Sequence, residues 1–214
     1  MMFYIACTRF NNVTYQENTD YRNKNKEVVI YSAPLKIRNI YSPGSLIFVA
    51  EMNNETNTIE GIGLIKNLLV SDKYHKIYTN GEYNRYTYRG KYWLSRSQIN
   101  NFDSEITEIL DTVLFKGKSH LKCRTGITIL TEKLFVHWIY DLHILKTKVK
   151  SAFLHYFTHN HDNNDNNDNN DNNDKEYNHL DLEECFEIIP KRRRLNMNIC
   201  CNGINCNEIN EIKI

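Results

Sequence analysis

Residues 42–69 read SPGSLIFVAEMNNETNTIEGIGLIKNLL, and this stretch decides the fold class. Ser42-Pro43-Gly44 is a turn signal and Asn53-Asn54 is another. Between and after them lie Leu46–Ala50 and Ile59–Leu69, apolar runs of strand length that are rich in β-branched residues. Similar runs recur outward from this pair, at Phe3–Thr8, Val28–Tyr31, Lys76–Tyr78, Arg85–Tyr88 and Lys91–Leu94. Asn80-Gly81, set between aromatic runs, predicts a hairpin turn. Many short strands separated by turns favour a small barrel, which leaves no exposed edge.

The pattern changes after residue 100. Ile106, Ile109, Leu110, Val113 and Leu114 repeat at helical spacing, with Asp103 or Ser104 to cap the start and Gly117 to end the run. A strand is expected at Gly126–Leu130. A second helix is expected from near Thr131, because Phe135, Trp138, Ile139, Leu142, Leu145, Val149, Ala152 and Phe153 hold the 3.6 period. The class is therefore α+β, a small β-barrel with helices packed on it.

Residues 1–158 form the expected globular unit. Residues 159–178 follow as a linker, because HDNNDNNDNNDNND (161–174) has no apolar side chain to offset an ordering cost of about 1–2 kcal/mol per residue. Residues 179–214 are expected to be a mostly unstructured tail. It carries the basic run Pro190-Lys191-Arg192-Arg193-Arg194, which resembles a nuclear-import signal, and Cys185, Cys200, Cys201 and Cys206, whose spacing is not that of a zinc knuckle. No metal site and no cofactor are expected.

Composition narrows the function classes. The chain has 214 residues, of which 41% are hydrophobic and 12% aromatic, enough for a packed core. No apolar run reaches the roughly 18–20 residues that cross a bilayer, and the first residues are too short and polar for a secretory leader, so no membrane partner is expected. Six cysteines without such a leader predict free thiols in a reducing, intracellular setting. The charge is divided, with 21 Lys+Arg against 14 Asp+Glu up to Thr158 and 6 against 12 beyond it. A basic body with an acidic tail suits a nucleic-acid partner.

The stretch that carries binding chemistry is Lys73–Ile99. It holds six Lys or Arg, one acid (Glu82), and Tyr74, Tyr78, Tyr83, Tyr86, Tyr88, Tyr92 and Trp93. Cations neutralise phosphates and aromatic faces stack on unpaired bases, which points to RNA or another single-stranded nucleic acid. Arg85, Arg89 and Lys91 are the expected phosphate contacts, with Tyr86, Tyr88, Tyr92 or Trp93 as the stacking faces. A second basic cluster, Lys116, Lys118, Lys122 and Arg124, lies around Gly117-Lys118-Ser119. It lacks the first glycine of a phosphate-binding loop, since Thr112 stands there, and it follows a helix rather than joining strand to helix. No GxSxG, HExxH or GxGxxG occurs, so no catalytic residues are expected.

Two resemblances add to this reading. Asn (30 residues), Ile (23), Lys (17) and Tyr (14) fill 84 positions, the residues with AT-rich codons. With the Asn triplets, this resembles proteins of giant DNA viruses of the mimivirus type; slime moulds and malaria parasites share the bias. Phe3-Tyr4-Ile5-Ala6, Ser42–Val49 and Gly61-Ile62-Gly63-Leu64-Ile65 resemble the opening strand and the "pGd.i.f" and "giG.i" strands of the PUA-like superfamily, in its EVE and ASCH branches. That resemblance covers roughly residues 1–125 and implies recognition of RNA or a modified base in a barrel-side pocket. The ASCH signature GxKxxExR is absent, and Ser45 replaces the acidic residue after Pro-Gly. The leading expectation is a noncatalytic nucleic-acid-binding module. One alternative is a protein-interaction or virion component; a second is a small hydrolase acting on nucleosides or RNA, for which Thr8, Lys66 and Glu82 would have to converge.

Overall fold

The apolar run Leu46–Ala50 builds the central strand. β3 (Leu46–Asn53) is buried along its whole length, because both of its faces are covered. The computed structural model describes residues 3–158; the expected linker and tail, with the basic run and the tail cysteines, lie outside the described residues. β1 (Phe3–Phe10) runs parallel to β3, Phe3 opposite Leu46 and Phe10 opposite Asn53. β4 (Thr58–Lys66) returns antiparallel on the other side of β3. With β6 (Tyr92–Ser95) beside β4 and β7 (Thr128–Ile129) beside β1, these make a five-stranded sheet in the order β6-β4-β3-β1-β7. A separate antiparallel ladder joins β2 (Val29–Ala33) to β5 (Tyr86–Gly90).

The architecture is thus a mixed sheet with three helices, and its ladders form an open sheet and a two-stranded ribbon rather than the closed ring expected of a barrel. The two are joined at Gly90-Lys91, where the chain leaves one ladder and enters the other. Gly90 lies so close to β4 that a Cβ built on it would stand 1.8 Å from the Leu64 carbonyl oxygen.

Strand alternation divides the core into two. Leu46, Phe48, Ala50 and Met52 face helices α2 (Arg96–Phe115) and α3 (Leu142–Thr158), where Phe153 meets Phe48 with ring centroids 4.8 Å apart. Ile47 and Val49 face the β2–β5 ribbon and pack with Tyr31, Tyr88 and Ile65. Glu51 lies on that second side at a register shift between β3 and β4, fully buried. Tyr31 donates a 2.7 Å hydrogen bond to it, and Arg22 of α1 (Asn12–Asn25) makes a 3.2 Å ion pair. The guanidinium of Arg22 also sits over the Trp93 ring, 5.3 Å from its centroid. The Trp93 indole N–H favours the carboxylate electrostatically without reaching hydrogen-bond geometry.

Several expected elements took another form. α1 stands where no helix was expected: its sequence NVTYQENTDYRNKN has no apolar stripe, and it is started by a reciprocal cap between Asn11 and Thr14. α2 begins earlier than expected, at a Ser95–Gln98 capping box, and breaks at Asp103. Asp103 then accepts from the Glu105 N–H at 3.0 Å and caps the second half, as its position suggested. The helix expected from Thr131 starts only at Leu142, where Asp141 accepts from the N–H groups of His143 and Ile144. Residues 132–134 form one 3-10 turn, and Ile139 is 96% exposed. Asn80-Gly81 opens a 3-10 turn (Gly81–Asn84) instead of a hairpin, with Asn80 capping it. Lys76–Tyr78 is not a strand; Asn84 holds it by accepting from the N–H groups of Ile77 and Tyr78.

Candidate nucleic-acid interface

β1 ends in Thr8-Arg9-Phe10 and passes directly into the cap of α1 at Asn11. Its neighbour β7 runs antiparallel, with Thr128 opposite Cys7. The loop that feeds β7, Leu121–Gly126, is therefore laid across the end of β1. Arg9 ties the two together. Its guanidinium donates to the Gly126 carbonyl, to the Thr128 hydroxyl at 3.3 Å and to the Leu121 carbonyl at 3.5 Å. Gly126 has φ +72°, a conformation that favours glycine, and it abuts Leu35. From the other side, Asn54 donates to the Lys122 carbonyl at 3.1 Å, and Lys122 donates to Asn57 at 2.6 Å.

These elements, with the end of β2, enclose a cavity of about 310 Å³. That is the low end of the range for small-molecule sites, roughly 300–1,000 Å³. Arg9, Lys122, Arg124, Thr8, Tyr78 and Tyr83 line it, and no carboxylate does. Burial lowers the pKa of Arg9 from its ordinary value, and the Arg124 charge adds to that against a partial offset from Cys7. Among the described residues, Arg9 has hydrogen bonds to carbonyl and hydroxyl oxygens and no ion pair. Tyr78 is buried and accepts from Asn18, whereas Tyr83 is 43% exposed at the rim.

The expected site residues divide between places. Lys122 and Arg124 reach the cavity; Lys116 and Lys118 are exposed outside it. Arg85 is exposed and paired with Glu82 at 2.8 Å. Arg89 is held by Glu27 at 2.9 Å and Asp72 at 3.5 Å, beside buried His75. Tyr88 is 1% exposed, its hydroxyl accepting from the Ile37 N–H, so its ring faces are core surface. Tyr86 is half-buried in the ribbon, Tyr92 packs on Phe157 at 5.0 Å, and Trp93 lies under Arg22. Lys91 is exposed at the Gly90 corner. From the aromatic stretch only Tyr78 and Tyr83 meet the cavity. Arg9 and Asn11 were not expected there, and Thr8 only beside Lys66 and Glu82; a single cation inside an apolar strand carries no local signal of a site. Thr8, Lys66 and Glu82 do not converge: Glu82 pairs with Arg85, and Lys66 lies at the Leu46 end of the sheet.

No family model, no curated protein and no solved structure matches the chain. Among the described residues no helix is long and apolar enough to cross a membrane, and no group of three or more His, Cys, Asp or Glu is placed to hold a metal ion.

Two cysteines bracket the site with opposite chemistry. Burial pushes the Cys7 thiol up to about 11, against the pull of Arg9, while Cys123 is exposed between two cavity cations. The thiolate is the reactive form, and at pH 8 only roughly one Cys7 in a thousand carries it. Alkylation of the native protein, followed by peptide mass spectrometry, should label Cys123 within minutes and leave Cys7 unmodified until denaturant is added. Equal labelling rates would contradict the packing around β1.

Proposed function

We propose that this protein is a noncatalytic nucleic-acid-binding module whose site is the cavity at the end of β1. The observation that carries the reading is three cations, Arg9, Lys122 and Arg124, around a cavity that no carboxylate lines. Gathering like charges without counter-charge is costly unless an anion completes the set. The rim tyrosine supplies a face for an unpaired base, and the Asn11 side-chain N–H, which the helix cap does not use, supplies a hydrogen-bond donor for a base edge. A paired base has its edges occupied, so the site suits single-stranded RNA or DNA. The PUA-like resemblance of the strands points the same way, toward a base held beside a sheet.

The test is fluorescence anisotropy of the full chain with single-stranded RNA, single-stranded DNA and a duplex, each over a salt series. Single strands should bind with an affinity that falls as salt rises. Each phosphate contact on a single strand contributes about 0.7 to the salt slope, so Lys122→Ala with Arg124→Ala should lower it by about 1.4. Both side chains lie at the surface, so the fold should be unaffected; Lys116→Ala with Lys118→Ala should change the slope less. Flat traces on every ligand, or an unchanged slope in the Lys122/Arg124 variant, would refute the assignment.

A further inference from the structure

A second cavity, of about 230 Å³, lies further along the same segment. The two have no lining residue in common, but one stretch of chain borders both: Pro34 lines the first cavity and Lys36 and Arg38 line the second. Only Leu35 separates Pro34 from Lys36, a span of at most about 7 Å. This wall is fixed in place. The Ile37 N–H donates to Tyr88 at 2.9 Å, Ile37 is buried, and Leu35 rests against Gly126 of the first site. The opposite wall is tied by Asn67, which donates to the Tyr41 carbonyl at 3.0 Å.

The chemistry of the second cavity continues that of the first. Lys36 and Arg38 are exposed, with no carboxylate at ion-pair distance among the described residues. No Asp or Glu occurs from Val28 to Ala50 or from Gly61 to Ser71, the two segments that form the walls. Leu68 and Leu69 lie exposed beside the cations, and Tyr41 and the buried Tyr88 complete the lining. Apolar and aromatic surface next to unpaired cations fits bases joined by phosphates; a free anion would leave the apolar half unused.

We propose that the second cavity is a subsite for a further nucleotide of the same single strand, so that the ligand is an oligonucleotide laid across the Pro34–Asn39 wall and not a free nucleotide. This rests on the nucleic-acid reading of the first cavity. The probes are a nucleoside monophosphate and single-stranded RNA and DNA of two, four and eight nucleotides, with polyglutamate as a generic polyanion. All are titrated against the full chain, the Lys36→Ala/Arg38→Ala variant and the Lys122→Ala/Arg124→Ala variant.

Affinity should rise from the monophosphate to the four-nucleotide strand. The Lys36/Arg38 variant should lose about tenfold on that strand and about 1.4 of salt slope, with monophosphate binding unchanged. The Lys122/Arg124 variant should weaken both ligands. Strands that bind no better than the monophosphate, or an unaffected Lys36/Arg38 variant, would overturn the second subsite while leaving the first cavity's assignment standing. Equal binding of polyglutamate would overturn it as well. Loss of strand binding in the Lys36/Arg38 variant with the Lys122/Arg124 variant unaffected would overturn the first cavity's assignment and leave the second cavity as the nucleotide site; no binding of any probe would overturn both.

Discussion

Glu51→Ala should lower the stability of the protein by about 3–5 kcal/mol, read as a shift in the midpoint of urea unfolding. The magnitude follows from what is left behind. Removing one partner of a buried ion pair strands the other charge, here Arg22, in a place water does not reach. The Tyr31 hydroxyl loses its acceptor at the same time. Glu51→Gln keeps that acceptor and should cost less. Replacing both charged partners by apolar residues, as in Arg22→Met with Glu51→Leu, should recover much of the loss, because neither charge then has to be desolvated. A loss under 1 kcal/mol in Glu51→Ala would mean that the pair is hydrated and the buried placement is wrong.

The pH dependence of this group has the less familiar sign. Burial raises the Glu51 carboxyl pKa, with Arg22 and the Tyr31 hydrogen bond opposing. The folded state therefore holds this proton more tightly than the unfolded chain does. Stability contributed by Glu51 is fully present below the ordinary carboxylate range and is lost as pH rises through its elevated folded pKa. Glu51→Gln should flatten that part of the stability profile. A steeper acid-side fall in the wild type, relative to Glu51→Gln, would contradict the direction.

Gly90→Ala should be much more damaging than Gly44→Ala. The Cβ at residue 90 would lie 1.8 Å from the Leu64 oxygen and 2.8 Å from its carbonyl carbon. Those are backbone atoms of β4, which is itself clamped between β3 and β6, so neither side can yield cheaply. Overpacking with no flexible neighbour costs about 3 kcal/mol or more. Gly44 isolates the other reason for a glycine: nothing lies within 4 Å of its Cβ position, but φ is +77°. Left-handed strain alone costs roughly 1–2 kcal/mol. Thermal melts of the two variants should therefore rank Gly90→Ala well below Gly44→Ala. The reverse order would mean that the ribbon and the sheet do not meet at this corner.

The strands that are buried on both faces were readable because an uninterrupted apolar run needs no partner to be recognised; β1, β3 and β4 all lie where such runs occur. α2 was readable from its stripe and from Asp103. α1 was not, since a helix with no apolar face differs from a polar loop only at its cap. The run Phe135–Ile139 misled for the opposite reason, its spacing continuing the α3 period while the chain there turns. In the site, Lys122 and Arg124 stood out as part of a basic cluster. The Tyr86–Trp93 stretch looked like a binding face because alternation tells which side chains share a face, not whether that face is covered. In the folded chain the Tyr88 side of the ribbon is turned onto the sheet, so Tyr88 became core, while Trp93 on β6 is half-buried under Arg22; the cavity takes its tyrosines from the irregular segment before β5.

Among the described residues β1 is the first strand made, and its outer neighbour β7 is the last. At a synthesis rate of roughly 5–20 residues per second, residue 129 follows residue 10 off the ribosome by roughly 6–24 s. Throughout that delay one edge of an apolar strand is unpaired, open to other nascent chains and to chaperones. Arg9 has no Gly126 to hold until the wait is over, so the cavity at the end of β1 is completed only late in assembly, and a chain that stalls early never closes it.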